Sequence, residues 1–349
     1  MAQGIEQSIK KTIKRISHTY NAHEGKAFSR YKSWEYCHSA FLTVHQELER
    51  TGDKPSPEQI DNLSLELAFY LASWGMYRGS SFLLQRDYKA HRKAVRIILD
   101  AKYKDLWDYD PSCKKDHDIK RTAKKVAKIA IRLKESYGKT PDRILCEEDE
   151  NKEDKDSGLS ATLITKILMG TFAVAPAFDR FFIDGVGRYK KDHIEKRNRW
   201  VSSHFQMSIN KKNEKTHEGN FVELFEFAKE YSDELRVPKR LSNYPLMKRV
   251  DMYFWELGYE KSLVDGLCEI RDHYPTENVK SDQISEALGE KDAKKRANQK
   301  ANKLLKQITR LETNFAAKDI IEKEDLLDAI PKAEEVFKYD PDNKGSSSK

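Results

Sequence analysis

The stretch PEQIDNLSLELAFYLASWGMYRGSSFLL, residues 57–84, is the most apolar in the chain, and its reading decides the fold. Leu63, Leu67, Leu71 and Trp74 recur three or four positions apart, the period of one helix face. Phe69, Tyr70, Phe82, Leu83 and Leu84 widen that face, as in a central helix touched from more than one side. Ser56 and Pro57 predict its start, because a serine oxygen can accept a first-turn amide and proline loses no bond at the first helical position. Gly75 and Gly79, four apart, either permit close backbone packing or mark a break near Trp74. Tyr77, Arg78 and Arg86 follow the apolar run, either as surface residues or as the lining of a ligand-facing surface.

Outward from this centre the helical period continues. Ile9, Ile13 and Ile16 predict a helix near the start, TVHQELER extends another, and Ala94, Ile97, Ile98 and Ala101 fall on one stripe of 88–107. Over 119–138, IKRTAKKVAKIAIRLKESYG sets Ala123, Val126, Ala127, Ala130 and Leu133 against Arg121, Lys124, Lys125, Lys128 and Arg132, with Gly138 as a C-cap. Leu163, Ile167 and Leu168 open a second apolar centre that Pro176 interrupts. EGNFVELFEFAKEYSDELR predicts a further helix. PLMKRVDMYFWELGYEKSLVDGLCEIRDHY predicts a helix pair, or one helix broken near Gly258. Period-two patterning is scarce, with FAVA at 172–175 the one short strand candidate. The expected fold is therefore all-α, a multi-helix globular chain of two helical subdomains with a minor β element.

The run CEEDENKEDKD at 146–156 carries a net charge of −5 and reads as an acidic linker or insertion. The expected division is a helical domain at 1–145, the linker at 146–158, a second helical domain at 159–335 and a frayed tail at 336–349.

The 349 residues are 35% charged with a net charge of +7, which permits contact with nucleic acid or an anionic surface without requiring it. No window approaches the roughly 20 apolar residues of a membrane span, and no apolar stretch follows the basic N-terminal residues, so no membrane insertion or leader is expected. Cys37, Cys113, Cys146 and Cys268 are too widely spaced for a compact zinc module, which points to reduced thiols in the cytoplasm. His18, His23, His38 and His45 match no metal-ligand spacing, and the carboxylates at 147–150 lack the spacing and glycine of a calcium loop, so no metal is expected. Phosphate-loop, dinucleotide and triad signatures are absent, and no cofactor is expected. Glu66, Asp251, Glu256 and Asp265 are further carboxylates that the sequence does not bring together.

The segment Phe182-Ile183-Asp184-Gly185-Val186-Gly187-Arg188 follows an apolar run and precedes a basic one. It resembles the glycine hairpin of helix-hairpin-helix proteins over some 25–30 residues, and Gly185 and Gly187 equally fit an ordinary tight turn. The resemblance implies backbone amides that hold a phosphate. In base-excision glycosylases with such a hairpin it also implies a lysine nucleophile just beyond. Lys190 and Lys191 stand one or two positions out of that register, and FQMSIN at 205–210 lacks the aspartate that pattern requires. Asp179 and Asp184 suit capping, solvent contact or pairing with Arg180 and Arg188.

Three basic stretches then define a candidate phosphate-binding set. The first holds Arg121, Lys124, Lys125 and Lys128; the second Arg188, Lys190, Lys191 and Arg197, beside Tyr189 and Trp200; the third Lys295 and Arg296. The expectation is a protein that binds DNA or RNA through phosphate contacts. Alternatives are an enzyme acting on DNA or RNA, with Lys190 or Lys191 as its catalytic lysine, and an adaptor that binds a protein partner. The adaptor reading rests on the amphipathic 291–327 region, where Leu304, Leu305, Ile308, Leu311 and Phe315 form a stripe.

Overall fold

The computed structural model describes residues 2–22, 31–78, 83–107, 109–138, 159–193, 201–236 and 243–273. It is all-α. The helices are α1 (Ala2–Ala22), α2 (Tyr31–Thr51), α3 (Pro57–Ser73), α4 (Arg92–Ile98), α5 (Asp116–Gly138), α6 (Ala161–Gly170), α7 (Arg180–His193), α8 (Glu214–Glu230) and α9 (Leu246–His273). Short 3-10 turns at Tyr88–His91, Ala101–Leu106, Pro111–Cys113, Ser202–Gln206 and Lys211–Asn213 join them. None of the described residues forms a strand.

The start of α3 follows its local chemistry. Ser56 Oγ accepts the Gln59 amide at 3.1 Å, and the Gln59 side chain returns to accept the Ser56 amide at 2.9 Å, a reciprocal cap worth about 1 kcal/mol. The helix ends at Ser73, earlier than the apolar run, because Gly75 turns the backbone into the left-handed region at φ +75°. Leu63, Leu67, Tyr70 and Leu71 are buried on it. The expected helix over 88–107 is divided: a 3-10 turn, the short α4 and a second 3-10 turn replace one continuous element.

The innermost element is α6, all but one of whose residues are buried. Behind it, FAVA forms no strand. Residues 171–178 run as a buried irregular connection, with Ala173 at φ +52°; the Thr171 and Ala173 amides donate back to the Ile167 and Leu168 carbonyls of α6, and side chains take the amides at the far end. The Phe178 amide donates to Thr165 Oγ1 and the Ala177 amide to Asp251 Oδ1, at 2.8 and 2.9 Å.

The packing runs across the expected boundary at 146–158, a segment outside the described residues, as are 291–327 and the tail. On its N-terminal side, α5 packs most extensively against α8 on the other, and α2 and α3 both touch α6. Residues 1–17 and 23–258 form one compact unit; residues 18–22 and 259–349 are grouped in another. The first unit has an aromatic centre in which Phe178, Phe182, Phe205, Phe221, Phe225 and Phe254 are almost wholly buried, with ring centroids 4.9–5.7 Å apart among several of them.

Candidate functional site

One face of α5 is apolar and closed, and the other is cationic and open. Ile119, Ala123, Val126, Ala127, Ala130 and Leu133 are buried, and the small alanines let α8 lie close. Lys120, Arg121, Lys124 and Lys128 are exposed on the opposite side. At 1.5 Å per residue, Lys120, Lys124 and Lys128 stand about 6 Å apart along the helix. Among the described residues no carboxylate lies in ion-pair range of these three. Arg121 pairs with Asp118 at 2.8 Å yet keeps 74% of its side chain exposed.

Beside them the Ala101–Leu106 turn adds Lys102 and Lys104, which sequence reading overlooked because they lie outside any basic run. Tyr103 anchors this margin. Its ring is buried, Lys102 Nζ sits 4.9 Å and Lys125 Nζ 5.9 Å from its centroid, and Arg132 reaches its hydroxyl at 3.4 Å. Asp105 pairs with Lys125 and Asp100 with Lys102 and Arg132, so part of the charge is locally neutralised. Lys134 leaves this face altogether: it is buried and donates to Ser208 Oγ at 2.7 Å.

The second predicted group is placed otherwise. Phe182–Arg188 lies within α7, neither hairpin nor tight turn, so its amides are already spent: those of Phe182 and Ile183 on the Asp179 carboxylate and carbonyl, and those that follow in the helical ladder. Gly185 is required by packing. A Cβ on it would lie 1.8 Å from the Phe254 carbonyl oxygen of α9, and a Cβ on Gly258 would lie 1.8 Å from that of Phe181. The two glycines form a seam at which the backbones of α7 and α9 touch, and α9 runs through Gly258 unbroken. Gly187 has open space around it. Arg188 and Lys190 are half-buried on α7. The placement of Lys191's side chain, Arg197, Lys295 and Arg296 lies outside the described residues. Asp179 caps α7, accepting the Phe182 amide at 3.1 Å, and pairs with Lys166 rather than Arg180.

The interior holds charges of its own. Lys166, the single cation in an apolar helix, meets Asp179 at 3.1 Å, and Lys248 meets Asp251 at 2.8 Å; both lysines are about 95% buried. Trp74 lies between them, 5.0 Å from Lys166 Nζ and 5.9 Å from Lys248 Nζ, and Lys248 Nζ is also 5.0 Å from the Trp34 ring. Trp34 donates to the Met169 carbonyl and stacks on His38, whose Nδ1 donates to the Thr171 carbonyl at 2.6 Å. With each ammonium engaged by a carboxylate and an indole, this cluster fastens α6, α9 and the 171–178 connection; it offers no free amine. Burial pushes the neighbouring Cys37 thiol well up, so it stays protonated and does not form a nucleophilic pair with His38.

A second buried group ties the loop after α3 to the end of α5. His91 is fully buried, with Nε2 2.7 Å from the Tyr77 hydroxyl and Nδ1 2.6 Å from the Tyr137 hydroxyl. Burial lowers its pKa to about 4, so at neutral pH one ring nitrogen donates and the other accepts. Tyr77 is thus occupied internally, while Arg78 folds back toward Gly75. Among the described residues no three His, Cys, Asp or Glu side chains gather to hold a metal, and no described helix is long and apolar enough to cross a membrane. Comparison with known protein families, curated proteins and solved structures finds no significant match.

Proposed function

We propose that the chain binds nucleic acid through the phosphate backbone, using the open face of α5 and the adjoining Ala101–Leu106 turn. The observation that carries this reading is the row Lys120, Lys124, Lys128, free of ion-pair partners among the described residues and joined by the exposed Arg121. The row spans about 12 Å, or about three phosphate steps of one strand at about 3.4 Å of duplex axis each. Point charges on flexible stems suit phosphate oxygens and carry no base code, so the contact is expected to be indifferent to sequence. Lys102, Lys125 and Arg132, gathered around Tyr103, add further cations to those of the row. A cytoplasmic setting accords with this reading, given scattered cysteines of which Cys113 is exposed and unbridged.

The test is fluorescence anisotropy of labelled duplex and single-stranded DNA and RNA between about 50 and about 200 mM salt. Four phosphate contacts predict that log K falls against log salt with a slope of about −3.6 on duplex DNA. Absence of binding at the lowest salt by the folded chain refutes the reading. Appearance of cleaved or modified strands in the same samples would move it to an enzyme on nucleic acid.

A further inference from the structure

We infer that α3 is a self-association surface on which a second copy of this chain docks antiparallel. Leu65 and Phe69, one turn apart, are each 56% exposed, although the same helix buries Leu63, Leu67 and Leu71 completely or nearly so on its other side. The exposed line continues through Glu58 and Asn62 toward the N-terminal end and through Ala72 toward the C-terminal end. Two large apolar side chains at the centre of a rim of polar and small residues have the layout of an interface core.

The charge pattern selects the occupant. Glu58 stands exposed in the first turn, whereas Asp61, further along, is already paired with Arg92. Arg78, also exposed, curls over Gly75 just beyond the last turn: a Cβ on that glycine would lie 2.9 Å from the Arg78 Nε. One end of the line is therefore acidic and the other basic. A two-fold axis through the midpoint of Leu65 and Phe69 makes the contact isologous, setting Leu65 against Phe69 of the second copy and Asn62 against Ala72. Glu58 of each copy then stands toward the C-terminal end of the other α3, the end at which Arg78 curls over Gly75, twice per dimer. A parallel pairing would oppose Glu58 to Glu58 and Arg78 to Arg78, and would align rather than oppose the two helix dipoles. The four central side chains supply about 400 Å² of apolar area, below the ~1,200 Å² of a stable interface, so the dimer is weak and concentration-dependent.

Sedimentation equilibrium of the full chain over a wide concentration range tests this. Wild type is expected to rise from monomer toward dimer mass, Phe69→Glu to remain monomeric, and Glu58→Arg and Arg78→Glu each to weaken association about tenfold. Mixing the two charge variants should restore it, since every contact between a Glu58→Arg chain and an Arg78→Glu chain again opposes a cation to a carboxylate. Wild type that stays monomeric throughout overturns the proposal, as does a dimer indifferent to Phe69→Glu. A Phe69→Glu chain that loses helicity or melts lower also overturns it, because the face would then be covered by the chain itself. A mixture of folded charge variants that fails to associate overturns the antiparallel register.

Discussion

Two segments of this chain, α5 and α7, carry cations at helical spacing, and from sequence both read as phosphate contacts. Their surroundings separate them. α5 buries a stripe of alanines and branched residues against α8 and leaves its charged side open, whereas α7 is pressed backbone to backbone onto α9 through Gly185. The difference is one of neighbours rather than composition: a cation row is available to a ligand only where the opposite face alone meets the demand for packing.

The sharpest test of how the α7 side is held removes a buried carboxylate. Asp251→Ala takes the partner from Lys248 and the acceptor from the Ala177 amide, and leaves a charge buried. A loss of about 3–5 kcal/mol is expected by denaturant unfolding. Replacing Lys248 and Asp251 together with Met and Leu should cost clearly less than the single variant. Equal losses would show that the ion pair does not fasten this part of the fold. Next in size, Gly185→Ala places a methyl group against the Phe254 carbonyl and should cost about 3 kcal/mol or more as the helices part. A harmless Gly185→Ala would remove the seam and the contrast with α5.

On the α5 side, the tie at its C-terminal end depends on pH. His91 has a pKa of about 4 when folded and about 6.5 when exposed, so unfolding takes up a proton between these values. Its stabilisation is complete above about pH 6.5 and is lost as the pH falls through about 4, amounting to about 3 kcal/mol. His91→Gln should flatten the stability profile in this window. A profile unchanged by the substitution would exclude His91 as the titrating group.

Gly187→Ala gives a smaller effect of opposite sign. The position is mid-helix, half-exposed and open, so a methyl group should raise stability by about 0.5–1 kcal/mol. Two glycines separated by one residue would then differ in sign as well as size, a contrast no tight turn would produce.

What the sequence made legible follows the same line. The cap at Ser56 and the two faces of α5 were readable because each is settled within a few residues. The role of Gly185 was not, since glycine marks turns and close crossings alike and only the position of Phe254, some 70 residues away, decides between them. Lys166 was also missed. It stands as one cation in an apolar run, and its carboxylate partner is supplied from beyond the 171–178 connection. The basic margin at Lys102 and Lys104 depended on a short 3-10 turn that periodicity does not detect.

The smallest expected change in stability is the one that bears most on function. Lys124→Ala with Lys128→Ala removes two solvated cations for which the described residues provide no ion-pair partner, and stability should stay within about 0.5 kcal/mol of the parent chain. Binding should respond far more: each lost phosphate contact removes about 0.9 from the salt slope, so the double variant should bind duplex DNA with a slope smaller by about 1.8. Arg188→Ala with Lys190→Ala, on α7, should leave the slope unchanged. If the α7 pair alters the slope and the α5 pair does not, the open face of α5 is not the contact, and the distinction between the two helices is reversed.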